Sequence, residues 1–142
     1  MTPKTHAPLE VVNAFINAIN HHKPAEIARL MSQDHTLVDS RGESHSGREH
    51  LLDGWKGYLQ MFPDFEICVE ALLEKNETVG VFGRTCGTYN GKRGLVAENR
   101  VEMTAAWKAI VKLGKVQRWQ IYTDWTQASK VIEADEMAGW QS

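Results

Sequence analysis

The chain has 142 residues, 42% of them hydrophobic and 24% charged, with a formal net charge of -2. That is the make-up of one ordinary globular domain, large enough to bury roughly two-thirds of its unfolded surface around a core. Lys and Arg are scattered without a basic run, which excludes nucleic acid as a partner, and no apolar stretch is long enough to span a bilayer, which excludes a membrane helix. The opening MTPKTHAPLE lacks the apolar centre of a signal peptide, so a cytoplasmic location is expected.

Leu9, Val12, Phe15, Ile16 and Ile19 recur at helical spacing over 8–21, and Pro24 opens a second helix over 23–31 that carries Ile27, Leu30 and Met31. Together they read as a helical hairpin. A short strand is predicted over 36–39, followed by a loop over 40–46. Ser46 and Glu49 have the spacing of a capping box ahead of a third helix, whose Leu51, Leu52, Trp55, Tyr58, Leu59 and Phe62 share a face and which Pro63 ends.

From there the period changes to two. Phe65, Ile67, Val69 and Ala71 alternate, Asn76 and Glu77 turn the chain into a strand over 79–87, and TYNGKRG makes the next connection. Gly91 and Gly94 argue against a strand over 88–99. Val101, Met103, Ala105, Trp107, Ala109 and Val111 alternate along a long strand, and LGK turns it into a last one over 116–124. The tail after about residue 127 is polar, helical and peripheral. Helices first and strands last predict a single α+β domain over 1–142, a curved antiparallel sheet covered on one face by three helices. Cys68 and Cys86 fall in strands, without metal-ligand spacing, and read as buried thiols; no metal or cofactor is expected.

Four stretches carry a resemblance: VVNAFINAINHHKPAEIARLM, HTLVDSRGESHSGREHLLDGW, FPDFEICVE and GKVQRWQIYTDW. In order and spacing they resemble the nuclear transport factor 2-like superfamily, in its SnoaL-like and ketosteroid-isomerase-like branch, over almost the whole chain. The resemblance implies a cone-shaped α+β barrel holding a small, largely apolar ligand, but not one reaction, because such a fold hosts many. In the isomerase pattern an aspartate moves a proton while a tyrosine and a protonated aspartate hold the oxyanion. Matched to this chain, the base is Asp39, the tyrosine position is Phe15 and the acid position is Ala106, so both oxyanion donors are replaced by side chains that donate nothing. The SnoaL-type cyclase pattern places its catalytic aspartate at Asp124. The pattern of limonene-epoxide-type hydrolases implies an Arg-x-Asp, for which the chain offers Arg84, Thr85 and Cys86, with Glu102 as a substitute acid if it points inward.

Each candidate also has a structural reading. Asp39 before Ser and Gly suits an Asx turn, and Asp124 suits a backbone cap or a partner for an inward-facing Arg84. His45, in the loop opposite Asp39, reads as a proton shuttle or a plain loop residue, and His21 and His22 as neighbours of a helix C-terminus. Phe15, Trp55, Tyr58, Trp119 and Tyr122 read as pocket wall or core filling, and the Trp107 face as core or as the seat of a second subunit's sheet. Two expectations follow. One is a cofactor-independent acid/base enzyme (cyclase, isomerase or hydratase) acting on an apolar carbonyl compound through Asp39 or Asp124, with burial raising the pKa of the working aspartate. The other is a non-catalytic ligand-binding or dimeric interaction module. The partners expected are a small apolar ligand and a second copy docked through the sheet.

Overall fold

The computed structural model describes residues 7–138, so the signal-peptide reading of the first residues and both ends of the 1–142 domain lie outside the described residues. Helix α1 (Pro8–Asn20) starts on a proline in the first turn, where the missing N–H has no helical partner to lose. It buries Val11, Val12, Phe15, Ile16, Ala18 and Ile19. Its end is fastened by Asn20, whose side-chain amide donates to Ile67 O at 2.9 Å while its carbonyl accepts from Ile67 N at 2.8 Å. A side chain thereby takes the place of a neighbouring strand on an otherwise open edge. His22 Nε2 donates to Phe65 O at 2.7 Å, and His21 Nδ1 donates to Asn17 O in the last turn of α1. The second helix, α2 (Pro24–Arg29), is shorter than its apolar pattern suggests, because the chain straightens at Met31 to begin a strand.

Six strands form one curved, open sheet: β1 (Met31–Val38), β2 (Ser44–Ser46), β3 (Glu66–Lys75), β4 (Thr78–Thr88), β5 (Arg100–Lys112) and β6 (Lys115–Thr123). Their order is β2-β1-β6-β5-β4-β3. The sheet is mixed rather than antiparallel throughout: β1 runs parallel to β6, since the two lie at opposite ends of the chain and no hairpin joins them. The alternation along β5 puts Val101, Met103, Ala105, Trp107, Ala109 and Val111 on the inner face. Helices α1 and α3 (Arg48–Met61) cover that face with α2, and α4 (Thr126–Ala138) closes one end, giving the cone-like α+β architecture. Among the described residues no helix is long and apolar enough to cross a membrane.

Four further expectations are corrected. The loop over 40–46 contains β2, whose three residues are too few to show a period. Helix α3 begins after Gly47 with no side-chain cap, because the Ser46 hydroxyl instead bonds Thr36 Oγ1 across the hairpin at 3.0 Å. A register shift between Val69 and Ala71 breaks the expected alternation: Val69, opposite Gly83, is left 40% exposed, Ala71 pairs with the outward Phe82, and Leu72, opposite Val81, packs against the core. The tail is not peripheral, for α4 buries Ala128 and Asp135 completely or nearly so.

Candidate functional site

Strand parity decides what reaches the interior. On β6, Trp119 and Ile121 lie beside Ala109 and Trp107 of β5, and Leu37 of β1 pairs with Trp119, so these side chains share the inner face. Trp107 and Trp119 stack with ring centroids 6.0 Å apart. Between this wall, α3 and α4 lies a cavity of about 1020 Å³. Its apolar lining comprises Leu37, Leu51, Trp55, Tyr58, Phe65, Ile67, Trp107, Trp119, Ile121 and Trp125, and its polar groups include Asp39, Arg41, His45, His50, Asp124, Lys130 and Glu133. A wall of six aromatic rings facing polar and charged groups suits a small-molecule site, and the interior is not packed solid.

Asp39 stands one step beyond β1 and continues its inward alternation from Leu37. His45 is paired with Leu37 across the β1–β2 hairpin and so shares that face. Asp39 lines the cavity and also closes a turn. Its Oδ1 accepts the amides of Arg41 at 2.9 Å and Glu43 at 3.0 Å, an Asx-type turn made possible by Gly42 at φ 84°. Its Oδ2 lies 3.1 Å from His45 Nε2. Partial burial pushes the Asp39 carboxyl up, but the His45 hydrogen bond and the two amide bonds outweigh it and hold the group below the usual carboxylate range. The expectation of a raised aspartate pKa is therefore corrected. An ionised Asp39 only accepts, so His45 Nε2 carries the hydrogen shared between them.

Tyr58 meets Trp55 and Phe65 edge-on, with centroids 6.0 and 5.1 Å away. Burial pushes its phenol far above the usual tyrosine range, which keeps it a neutral donor at any physiological pH. Trp55 Nε1 is buried with no hydrogen-bond partner among the described residues. Asp124 is exposed at the rim, where its Oδ1 caps α4 by accepting Thr126 N at 3.0 Å and the Thr126 hydroxyl. Those two bonds hold its carboxyl below the usual range. Asp39, Glu43 and His45 also bring one ligand atom each within 4.8 Å of one another. Asp39 already spends both oxygens on amides and imidazole, and the exposed Glu43 reaches Arg41 at 3.8 Å.

Of the residues singled out in the sequence, Asp39, His45, Trp55, Tyr58, Trp119 and Asp124 meet at the cavity. Phe15 lies behind it, fully buried against Trp119 at 5.0 Å and His35 at 6.0 Å. Arg84, Glu102 and Tyr122 project from the opposite face of the sheet. There Arg84 Nε bonds Glu102 at 3.2 Å, with Glu70 at 3.9 Å, so the inferred Arg84–Asp124 pair and an inward Glu102 are corrected. Thr85, not Arg84 or Cys86, is the inward residue of that triplet, which leaves the hydrolase pattern facing solvent. Ala106 is also outward, between Phe82 and Tyr122. Trp107 is core, so the face it shares cannot seat a second sheet. The cysteines are half-buried on the outer face with sulfurs 3.9 Å apart; burial, then the contact with Cys86, pushes the Cys68 thiol up and away from reactivity.

His50, Trp125, Lys130 and Glu133 also line the cavity, with no local signal in the sequence that places them there. Lys130 and Glu133 are three apart on one helical face, but nothing local indicates that α4 folds back over the cone. A sequence model described as a SnoaL-like domain matches residues 12–119. No curated protein matches the chain. Among solved structures, the chain is similar to a putative SnoaL-like polyketide cyclase from Jannaschia, with 17% identity over 94% of this chain and 96% of that one and a TM-score of 0.78. A putative polyketide cyclase from Xanthomonas campestris has 13% identity over 87% and 96%, also with a TM-score of 0.78. A protein of ketosteroid isomerase-like fold from Catenulispora acidiphila, in complex with trimethylamine, has 22% identity over 80% and 84% and a TM-score of 0.68. These likenesses establish the fold.

Proposed function

The chain belongs to the SnoaL-like domain family, and on that premise we propose that it is a cofactor-independent acid/base enzyme acting on an apolar carbonyl compound. The observation that carries this reading is the Asp39–His45 pair, 3.1 Å apart at an aromatic-lined cavity of about 1020 Å³. His45 Nδ1 takes a proton from the carbon next to the carbonyl, and the C–H electron pair moves into an enolate. Asp39, already ionised, fixes the ring and stabilises the imidazolium that forms. The enolate then either receives the proton at another carbon, an isomerisation, or attacks a second carbonyl of the same molecule, a cyclisation. In the second case the proton held by His45 neutralises the new alkoxide. Tyr58 and Trp55 supply donors within the cavity wall, and the apolar lining strengthens every charge interaction by excluding water.

A purely binding role is favoured by one observation: the isomerase oxyanion donors are absent, with Phe15 packed in the core and Ala106 outside the cavity. The two readings separate when apolar ketones are incubated with the protein in deuterated water. Deuterium entering beside the carbonyl, and lost in both Asp39→Asn and His45→Asn, supports the enzyme. Ketones that bind but never exchange support the binder. Exchange that survives both substitutions removes the pair from the chemistry. The same proposal seats a second copy on the outer face, where Ala71, Phe82, Ala106 and Tyr122 lie in register across four strands and Phe82 and Tyr122 are 44% and 48% exposed.

A further inference from the structure

Helix α4 presents two faces. Thr126, Ser129, Lys130 and Glu133, at helical spacing, line the cavity. The other face holds Ala128, Val131 and Asp135 against the core. That face is poor in apolar surface, so hydrophobic burial contributes little to seating the helix. A carboxylate takes its place. Asp135 is 1% exposed and accepts from Lys92 N at 2.7 Å, Arg93 N at 2.9 Å, Asn99 Nδ2 at 3.0 Å and Arg93 Nε at 3.4 Å. Asn99 is fully buried, donates also to the carbonyls of Tyr89 and Gly94, and accepts from Arg93 Nη2 at 2.5 Å. A side chain at Gly91 would stand 2.1 Å from Asp135 Oδ2, so the loop approaches the carboxylate as closely as a glycine permits. Burying a charge is costly unless every lone pair is met, and here each oxygen is met. The chemistry of the cavity calls for none of these groups.

We propose that Asp135 is a positioning residue, a polar latch between α4 and the loop joining β4 to β5 that fixes the α4 wall of the cavity and so sets which ligands fit. The inference rests on the reading of the cavity as a ligand site. With the helix start held by the Asp124 cap and its far end by Asp135, the residues between are presented to the ligand at a fixed distance. Losing the latch leaves the cap as a hinge, and the wall yields to larger molecules.

The test compares the unaltered chain with Asp135→Asn and Arg93→Lys by hydrogen–deuterium exchange, and by titration with 8-anilinonaphthalene-1-sulfonate and its larger bis form. In Asp135→Asn, exchange in α4 is expected to rise about tenfold or more while β5 is unchanged. The affinity ratio of the large probe to the small one should shift about fivefold toward the large probe. Arg93→Lys, which keeps both loop amides and a positive charge, should stay near the unaltered chain. Should Asp135→Asn fail to fold, Asp135→Ser, which removes the charge and one of the two accepting oxygens, carries the same comparison. Unchanged α4 exchange, loosening that spreads through β5, or an unmoved probe ratio overturns the proposal. If α4 loosens and neither probe binds any variant, the latch stands as a contact but the cavity reading falls, and the wall role with it.

Discussion

The two faces of β4 and β5 are built from the same strands and differ by one residue of parity. Inward, Val81, Thr85, Met103 and Trp107 are buried and face helices or cavity; outward, Arg84 meets Glu102 and Glu70 in solvent, beside the exposed Phe82 and Tyr122. The inner face holds the core and the candidate chemistry, whereas the outer face carries an exposed ion-pair cluster beside exposed rings. A polar residue in a strand therefore says nothing of function until its parity is known.

The contrast is broken most severely at the site. His45→Asn should lower turnover of a responsive ketone about 10²- to 10⁴-fold, the usual range for a general base, while Arg84→Ala leaves it within about twofold; steady-state kinetics on the two variants checks both. On stability the largest loss is expected from Trp107→Ala, about 3–5 kcal/mol by urea melting, against about 0.5 kcal/mol or less for Glu102→Ala, whose ion pair is half exposed. Phe82→Lys should leave monomer stability nearly unchanged and shift sedimentation from dimer to monomer, whereas sedimentation that ignores it removes the outer face as an interface.

A smaller effect comes from His35, fully buried at the back of the inner face, where Nδ1 donates to Val116 O at 2.6 Å. Burial lowers its pKa below the ordinary 6.5, the Val116 bond and the nearby Asp34 opposing this less strongly. The unfolded chain thus binds a proton that the folded chain refuses. Stability is then fully present above about pH 6.5 and declines as pH falls below it, by at most about 1.4 kcal/mol per pH unit for one proton. His35→Leu should flatten the difference between urea midpoints at pH 7.5 and pH 5.5; an equally steep dependence in that variant would assign it to other groups.

Much of the fold was legible because periods are local. The helical stripe of Val12, Phe15, Ile16 and Ile19 and the alternation from Val101 to Val111 each follow from a neighbourly pattern of burial. What could not be read depends on distant pairing. The slip between Val69 and Ala71 is fixed by β4, the parallel join of β1 to β6 by the whole order of strands, and the seating of α4 by a single acid meeting a loop some forty residues earlier. Asp39 and His45 stood out through turn chemistry and residue type, but their pairing required the hairpin register that sets Leu37 opposite His45. Arg84 and Glu102 misled because an arginine beside an acid looks alike on either face of a sheet.

A crystal structure of the chain soaked with a ketone that exchanges its protons would test the central claim most directly. The account predicts the ligand's rings among Trp55, Trp119 and Trp125, with the carbon next to its carbonyl within reach of His45 Nδ1. A ligand lodged on the outer face beside Arg84, or seated in the cavity with that carbon turned away from His45, would contradict it.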